Sequence, residues 1–433
     1  MSSYVITGGR PLSGSIHISG NKNAALPCLA ATLLTDQPVI LRNIPEIEDV
    51  KVMLALLGVL GSRLERLGPH TVSVTSDSSV LSCGFPSELP SNLVDAIRAS
   101  ILLVGPLVAR RGKVTLPPPG GDVIGFRRLD THFTGLEALG CTCRITSEGR
   151  LEITGKKLAG GEVFLDETSV TATENVIMAA VGAPGVTVVR NAASEPHVQD
   201  LCMMLIAMGA HIEGVGSNLL RIEGVDSLGG CDFTIGADYI EVGSYIGLAA
   251  ATKGEIILEG VDINQLSMIR LGFKRIGVEW LVTGPSSICV PAKQKRLLVK
   301  DLNGSTSKID DAPWPGFPAD LLSIVTVVAT QMRGSILIHE KMFESRMYFI
   351  DWLIRMGADI ILCDPHRAVV NGPTRFKGAT VTSPDIRAGM ALVIAALCAP
   401  GTSVIQNIYQ IERGYEGLAD KLLGLGASIA RTE

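Results

Sequence analysis

Side chains capable of ionic chemistry are scattered through this chain, yet they recur at one kind of position. Lys22 with Asn23, Arg98, Ser169-Val170-Thr171, Glu241, Asp320, and Asp385 with Arg387 each stand where a long apolar, small-residue segment begins. If those segments are helices, their free N–H groups and positive dipole ends add to the side chains in favouring anions. Ser169, Asp320 and Asp385 are also good capping types, so capping alone would account for them. Lys22, Arg98 and Arg387 are not capping residues, and they shift the reading towards an anionic ligand. More charge gathers in residues 117–132, Pro-Pro-Pro-Gly-Gly-Asp122-Val-Ile-Gly-Phe-Arg127-Arg128-Leu129-Asp130-Thr131-His132. Its prolines and glycines rule out a regular element over most of that length. Such a stretch is either a lid that folds over an anion or a solvated turn with incidental charges.

The elements that must position these residues repeat. A tag of apolar residues ending in glycine occurs at Gly61, Gly140, Gly209, Gly277, Gly357 and Gly426, about 70 to 80 residues apart, longer than common solenoid repeats. Each tag reads as the last turn of a helix closed by a left-handed glycine and followed by a strand. Between tags lies an apolar helix, a turn and an alternating strand. Examples are Asn23–Leu33 with Val39–Leu41, Asp95–Leu107 with Lys113–Leu116, and Asp385–Ala399 with Ser403–Ile405. Others are Ser169–Ala183, Glu241–Thr252 and Pro318–Thr330, each with its own following strand. Helices apolar all round belong in the interior, so six α/β modules should surround buried small-residue helices.

Composition sets the outer limits. With 433 residues, 46% of them hydrophobic and 19% charged, the chain can build two or three domains around real cores. A net charge of −5 and only 4% aromatics argue against a nucleic-acid surface. No apolar run reaches the length of a membrane span, and the N-terminus lacks the layout of a signal peptide. Nine cysteines with no Cys-x-x-Cys pair suggest neither a disulfide framework nor a zinc site, and they fit the reducing cytoplasm. No residue cluster calls for a metal or a cofactor.

The motifs together resemble the enolpyruvyl transferase family, over essentially the whole chain and in order. They are Ile18-Ser-Gly-Asn-Lys22-Asn23-Ala-Ala-Leu-Pro27, Asp95-Ala-Ile-Arg98-Ala-Ser, and Gly-Gly-Asp122-Val-Ile-Gly-Phe-Arg127. Further on are Pro315-Gly-Phe-Pro-Ala-Asp320, Phe343-Glu-Ser-Arg346, Asp385-Ile-Arg387-Ala-Gly and Ile411-Glu-Arg413-Gly-Tyr415-Glu. Lys22-Asn23 and Arg413-Gly-Tyr415 favour the branch that acts on UDP-N-acetylglucosamine. The resemblance implies a two-domain inside-out α/β barrel of six βαβαββ repeats, three per domain, around buried helices. Domain one would comprise residues 1–21 and 237–433 and domain two residues 22–236, with the 117–132 lid on domain two and the active site in the cleft between them.

It also implies the reaction, transfer of enolpyruvyl from phosphoenolpyruvate to the 3-hydroxyl of UDP-N-acetylglucosamine by addition and elimination through a tetrahedral ketal. Lys22, Arg127 and Arg413 would hold phosphoenolpyruvate, with Arg98, Arg346 and Arg387 completing the cationic lining. Asp320 would be the general base, Asp385 would sit by the reacting carbon with Arg413, and Asn23 would bind the sugar side. Arg127, Arg128, Leu129, Asp130, Thr131 and His132, with Ser169, Val170 and Thr171, would hold the uracil and diphosphate. Alternatives are a relative with another acceptor, such as shikimate 3-phosphate or a free nucleotide, or a catalytically silent nucleotide-sugar binder.

The chain departs from the commoner pattern in its loop. Many members carry cysteine where Asp122 stands, and Arg128 is an additional arginine. A carboxyl near 3.9 that replaces a thiol near 8.5 as a proton donor needs its pKa raised by about 2–3 units. The loop thiol is also what fosfomycin alkylates, and a carboxylate is a far weaker nucleophile. The resemblance therefore implies escape from covalent inactivation.

Overall fold

The computed structural model describes residues 2–77, 89–121, 124–125 and 128–432. The chain forms two compact units that meet at Ser19–Gly20 and Gly236–Ala237. One holds Met1–Ser19, Val123–Phe126 and Ala237–Glu433, the other Gly20–Asp122 and Arg127–Gly236.

In the first unit, apolar sequence makes buried helix. Tyr239–Thr252 is buried at every position, and Leu322–Ala329 and nearly all of Ile386–Cys398 are likewise enclosed. Glycine lets these helices approach closely: a Cβ at Gly247 would stand 2.5 Å from Ile324, so alanine there would force the helices apart. Each helix bridges a parallel strand pair, as a crossover must. Lys308–Asp310 runs parallel to Gly334–His339, Thr380–Thr382 to Gly401–Gln406, and Ser13–His17 to Glu255–Glu259. Antiparallel strands complete three four-stranded sheets. Within them, alternation such as Glu255-Ile-Ile-Leu-Glu259 buries Ile256 and Leu258 and exposes the rest. Ser3–Gly8 lies between Gly401–Gln406 and Ser428–Thr432, so both chain ends belong to one sheet.

The second unit repeats the scheme around Lys22–Ala31, Val104–Arg111 and Val170–Ala180. Cys231–Thr234, from its far end, pairs in parallel with Val39–Arg42 near its start and closes the unit on itself. Two of its sheets have four strands and one has three among the described residues. Across both units, the six tag glycines have φ between +74° and +106°, the left-handed closure that the tags call for.

Two segments differ from the sequence expectation. Asp95–Leu107 is not one helix. Ser91–Ala96 ends at an extended Ile97, followed by a 3-10 stretch Arg98–Leu103 and the helix Val104–Arg111. The Ser100 hydroxyl stands 2.8 Å from the carbonyls of both Val94 and Ile97, a local competitor to the helical ladder. Asp320 lies within a short 3-10 turn, Ala319–Leu321, whose N-cap position is Pro318, so it is not placed to cap and its oxygens are engaged elsewhere. Among the described residues no helix is long and apolar enough to cross a membrane.

Candidate active site

In the first unit the charges converge on Asp320. Its Oδ1 accepts from Arg346 Nη2 at 2.7 Å and its Oδ2 from Arg387 Nε at 3.0 Å. Burial alone would push this carboxyl up. The two guanidinium groups outweigh that and hold it well below the usual carboxylate range. Arg387 comes from the first turn of Ile386–Cys398, whose N-cap Asp385 accepts the N–H groups of Arg387 and Ala388 at 2.8 and 2.9 Å. Capping is thus the contact seen for Asp385 and, through Ala172, for Ser169, while Asp320 works as an ion-pair hub.

Arg387 lies 5.3 Å over the Tyr415 ring. Ser244 donates to the Ile240 carbonyl at 2.8 Å, so the Tyr415 hydroxyl, 2.8 Å from Ser244 Oγ, is the donor in that pair. Arg413 is buried and donates to Gln410 at 2.9 Å. The turn after it is pressed onto Ile386: a Cβ on Gly414 would stand 2.3 Å from that side chain.

Beside the hub is a pocket of about 240 Å³, part of it open solvent, lined by Ser323, Glu340, Arg346, Asp385 and Arg387. Arg346 Nε and Arg387 Nη1 are buried and find no acceptor among the described residues. Two unsatisfied guanidinium donors beside a small pocket can bind a carboxylate or phosphate.

In the second unit Lys22 is buried and paired with Asp49 at 2.7 Å. Asn23 is half-buried next to it, its N–H donating to Asn21. Arg98 reaches both flanks of the charged loop, donating to the carbonyls of Pro119 at 3.4 Å and Arg128 at 3.3 Å. The exposed Arg128 bridges Asp130 and Asp166, each at 3.3 Å, and Thr131 also donates to Asp166, at 2.8 Å. Leu129 is half-buried, as are Val170 and Thr171.

His132 is tied in on both nitrogens. Gly105 N–H donates to Asn175 Oδ1 at 2.7 Å, which turns the Asn175 amino group towards His132 Nδ1 at 3.0 Å. Nδ1 therefore accepts, and Nε2 carries the proton facing Thr171 Oγ1 at 3.1 Å. This fixes an imidazole, a threonine hydroxyl and the start of the helix Val170–Ala180 in one group. Asp122 and Arg127 lie outside the described residues.

Glu241 belongs to a structural contact. It is buried, ion-paired to Lys421 at 2.6 Å, and accepts Ser19 N–H at 2.8 Å. Sequence reasoning missed Asp49 and Glu340, since neither begins an apolar segment nor stands in a recognised motif. Among the described residues no group of His, Cys, Asp or Glu could hold a metal ion.

Comparison with known proteins adds the following. The family described as EPSP synthase (3-phosphoshikimate 1-carboxyvinyltransferase) matches residues 6–422. A UDP-N-acetylglucosamine 1-carboxyvinyltransferase of Treponema denticola is 54% identical over 433 residues, covering 100% of both chains. Proteins of the same name from Treponema pallidum and Bradyrhizobium diazoefficiens are 55% and 53% identical; the alignments cover 99% of this chain and 99% and 97% of theirs. Among solved structures, the enolpyruvyl transferase NikO of Streptomyces tendae superposes with a TM-score of 0.86 at 26% identity, covering 100% of this chain and 99% of NikO. An EPSP synthase of Acinetobacter baumannii, at 18% identity and a TM-score of 0.78 over 100% of both chains, shares the fold.

Proposed function

The chain belongs to the EPSP synthase family of enolpyruvyl transferases, and from that premise we propose how its residues carry the reaction. It transfers the enolpyruvyl group of phosphoenolpyruvate to UDP-N-acetylglucosamine and releases phosphate, the first committed step of peptidoglycan synthesis. The substrates and the free thiols of the described cysteines favour the cytoplasm.

The reaction runs in two stages. The sugar 3-hydroxyl oxygen bonds to C2 of phosphoenolpyruvate, its proton goes to a base, and an acid protonates C3, giving a tetrahedral ketal. Phosphate then leaves C2 as a proton leaves C3, and the double bond returns. The observation that carries the assignment of roles is the Arg346–Asp320–Arg387 hub with its two unused buried donors.

Those donors, with Arg413, Lys22 and Arg127, bind the carboxylate and phosphate, and Arg98 holds the loop that carries Arg127. Asp320 takes the hydroxyl proton. Pinned by two guanidinium groups it is ionised but feebly basic. A bound anion that shares those groups weakens their hold and raises its basicity when substrate is present. Asp385 and Arg413 act beside the reacting carbon. Asn23 holds the sugar, and residues 128–132 with Ser169, Val170 and Thr171 hold the uracil and diphosphate. Asp122 serves as proton donor or in product release.

The test is incubation with both substrates, measuring phosphate and the nucleotide-sugar product together. Equimolar phosphate and enolpyruvyl ether are expected. Phosphate without the ether, or neither, would overturn the assignment.

A further inference from the structure

Glu340 lies behind the hub and has no part in the mechanism above. It follows the strand Gly334–His339, is wholly buried, and lines the same pocket as Arg346, Asp385 and Arg387. Its backbone is locked to His366, donating N–H to that carbonyl at 2.8 Å and accepting from the His366 ring at 2.7 Å.

The turn that follows hands three successive N–H groups to two carboxyls. Lys341 and Met342 donate to the two oxygens of Asp311 at 2.5 and 3.2 Å, and Phe343 donates to Glu340 Oε1 at 3.2 Å. Arg346 N–H then closes on the Phe343 carbonyl at 3.3 Å, so this turn sets where Arg346 starts.

Glu340 Oε2 has no donor among the described residues, and the parallel pairing of Asp310 with His339 sets the next residue of each strand, the fully buried Asp311 and Glu340, side by side within reach of a side-chain hydrogen bond. Two carboxyl groups in contact make a hydrogen bond only when one carries a proton. Asp311 already accepts a backbone N–H on each oxygen, so in this pair Glu340 is the donor. Arg346 faces the Glu340 carboxyl, Asp385 and Arg387 line the same pocket, the His366 ring meets the Glu340 backbone carbonyl, and the Lys341 side chain turns away to Asp310 at 2.5 Å.

We propose that Glu340 is a positioning residue that works as a neutral, protonated acid, bonding Asp311 to brace the turn and leaving Arg346 free to hold Asp320 and substrate. Burial, the bond to Asp311 and its charge push the Glu340 carboxyl up to about 9, against the pull of Arg346. Were Glu340 ionised, its charge would compete for the unpartnered Nε of Arg346 and draw the guanidinium off Asp320.

The experiment is the pH dependence of kcat and kcat/KM for the parent, Glu340→Gln and Asp311→Asn. The parent should lose activity as pH rises through about 9. Glu340→Gln, a neutral isostere, should stay within about threefold of the parent at neutral pH and lack that alkaline loss. Asp311→Asn removes the like charge and should move the loss to lower pH. A Glu340→Gln profile that keeps the parent's alkaline limb, folded Glu340→Gln without activity, or an Asp311→Asn limb left in place would each overturn the proposal. It rests on the assignment of Arg346 and Asp320 to substrate. A parent that releases no phosphate refutes that assignment, whereas an active parent with unmoved limbs refutes only the role of Glu340.

Discussion

Asp320→Asn probes the hub in two ways at once. The aspartate accepts charge-assisted bonds at 2.7 and 3.0 Å from two guanidinium groups whose side chains are 13% and 6% exposed. Hydrogen bonds to charged groups contribute about 1.5–3 kcal/mol each, and removing one partner of a buried ion pair costs about 3–5 kcal/mol. Asparagine keeps one acceptor but turns an amino group towards an arginine. With Asp320 itself 26% exposed, screening trims the expected loss of stability to about 2–3 kcal/mol near neutral pH. The pH dependence has a definite sign. Because the folded-state pKa lies below the unfolded value of about 3.9, the stabilisation is present above that value and lost as pH falls. The deficit of the variant, read from denaturant midpoints, should therefore be full at pH 7 and shrink below about pH 4. Loss of the general base should lower kcat by about 10²–10⁴-fold. A variant within about threefold of parental kcat would refute Asp320 as the base. Unchanged stability at pH 7 would refute the weight given to the ion pairs.

Fosfomycin should leave no adduct on the parent protein by mass spectrometry, whereas Asp122→Cys should gain one, because the thiolate is the competent nucleophile. An adduct on the parent sinks that expectation. Asp49→Asn strands a buried Lys22 charge whose partner is now 2.7 Å away, so it should destabilise the protein by about 3 kcal/mol in equilibrium unfolding. A change under about 0.5 kcal/mol would show that Lys22 is hydrated or held by other groups.

The sequence made the repeat architecture legible because its signals are local. A left-handed glycine after an apolar helix turn needs no distant partner, and all six tag glycines behave alike. Helices without a polar face, such as Tyr239–Thr252, announced their own burial. Breaks within apolar runs were not legible, since the extended Ile97 and the Ser100 hydroxyl that engages the Val94 and Ile97 carbonyls are features that hydrophobic pattern does not register. The site was legible in its residue types but not in its pairings. Asp320 could have been an N-cap from sequence, and only the approach of Arg346, 26 positions away, and Arg387, 67 away, makes it a hub. Asp311 and Glu340 each follow one of two neighbouring parallel strands, so neither side chain signals the other along the chain.

The most direct test of the account is phosphate release from phosphoenolpyruvate by the full chain, with UDP-N-acetylglucosamine and shikimate 3-phosphate offered as acceptors side by side. The account predicts turnover with the nucleotide sugar and none above background with shikimate 3-phosphate. Turnover with shikimate 3-phosphate alone, or with neither acceptor, would contradict it.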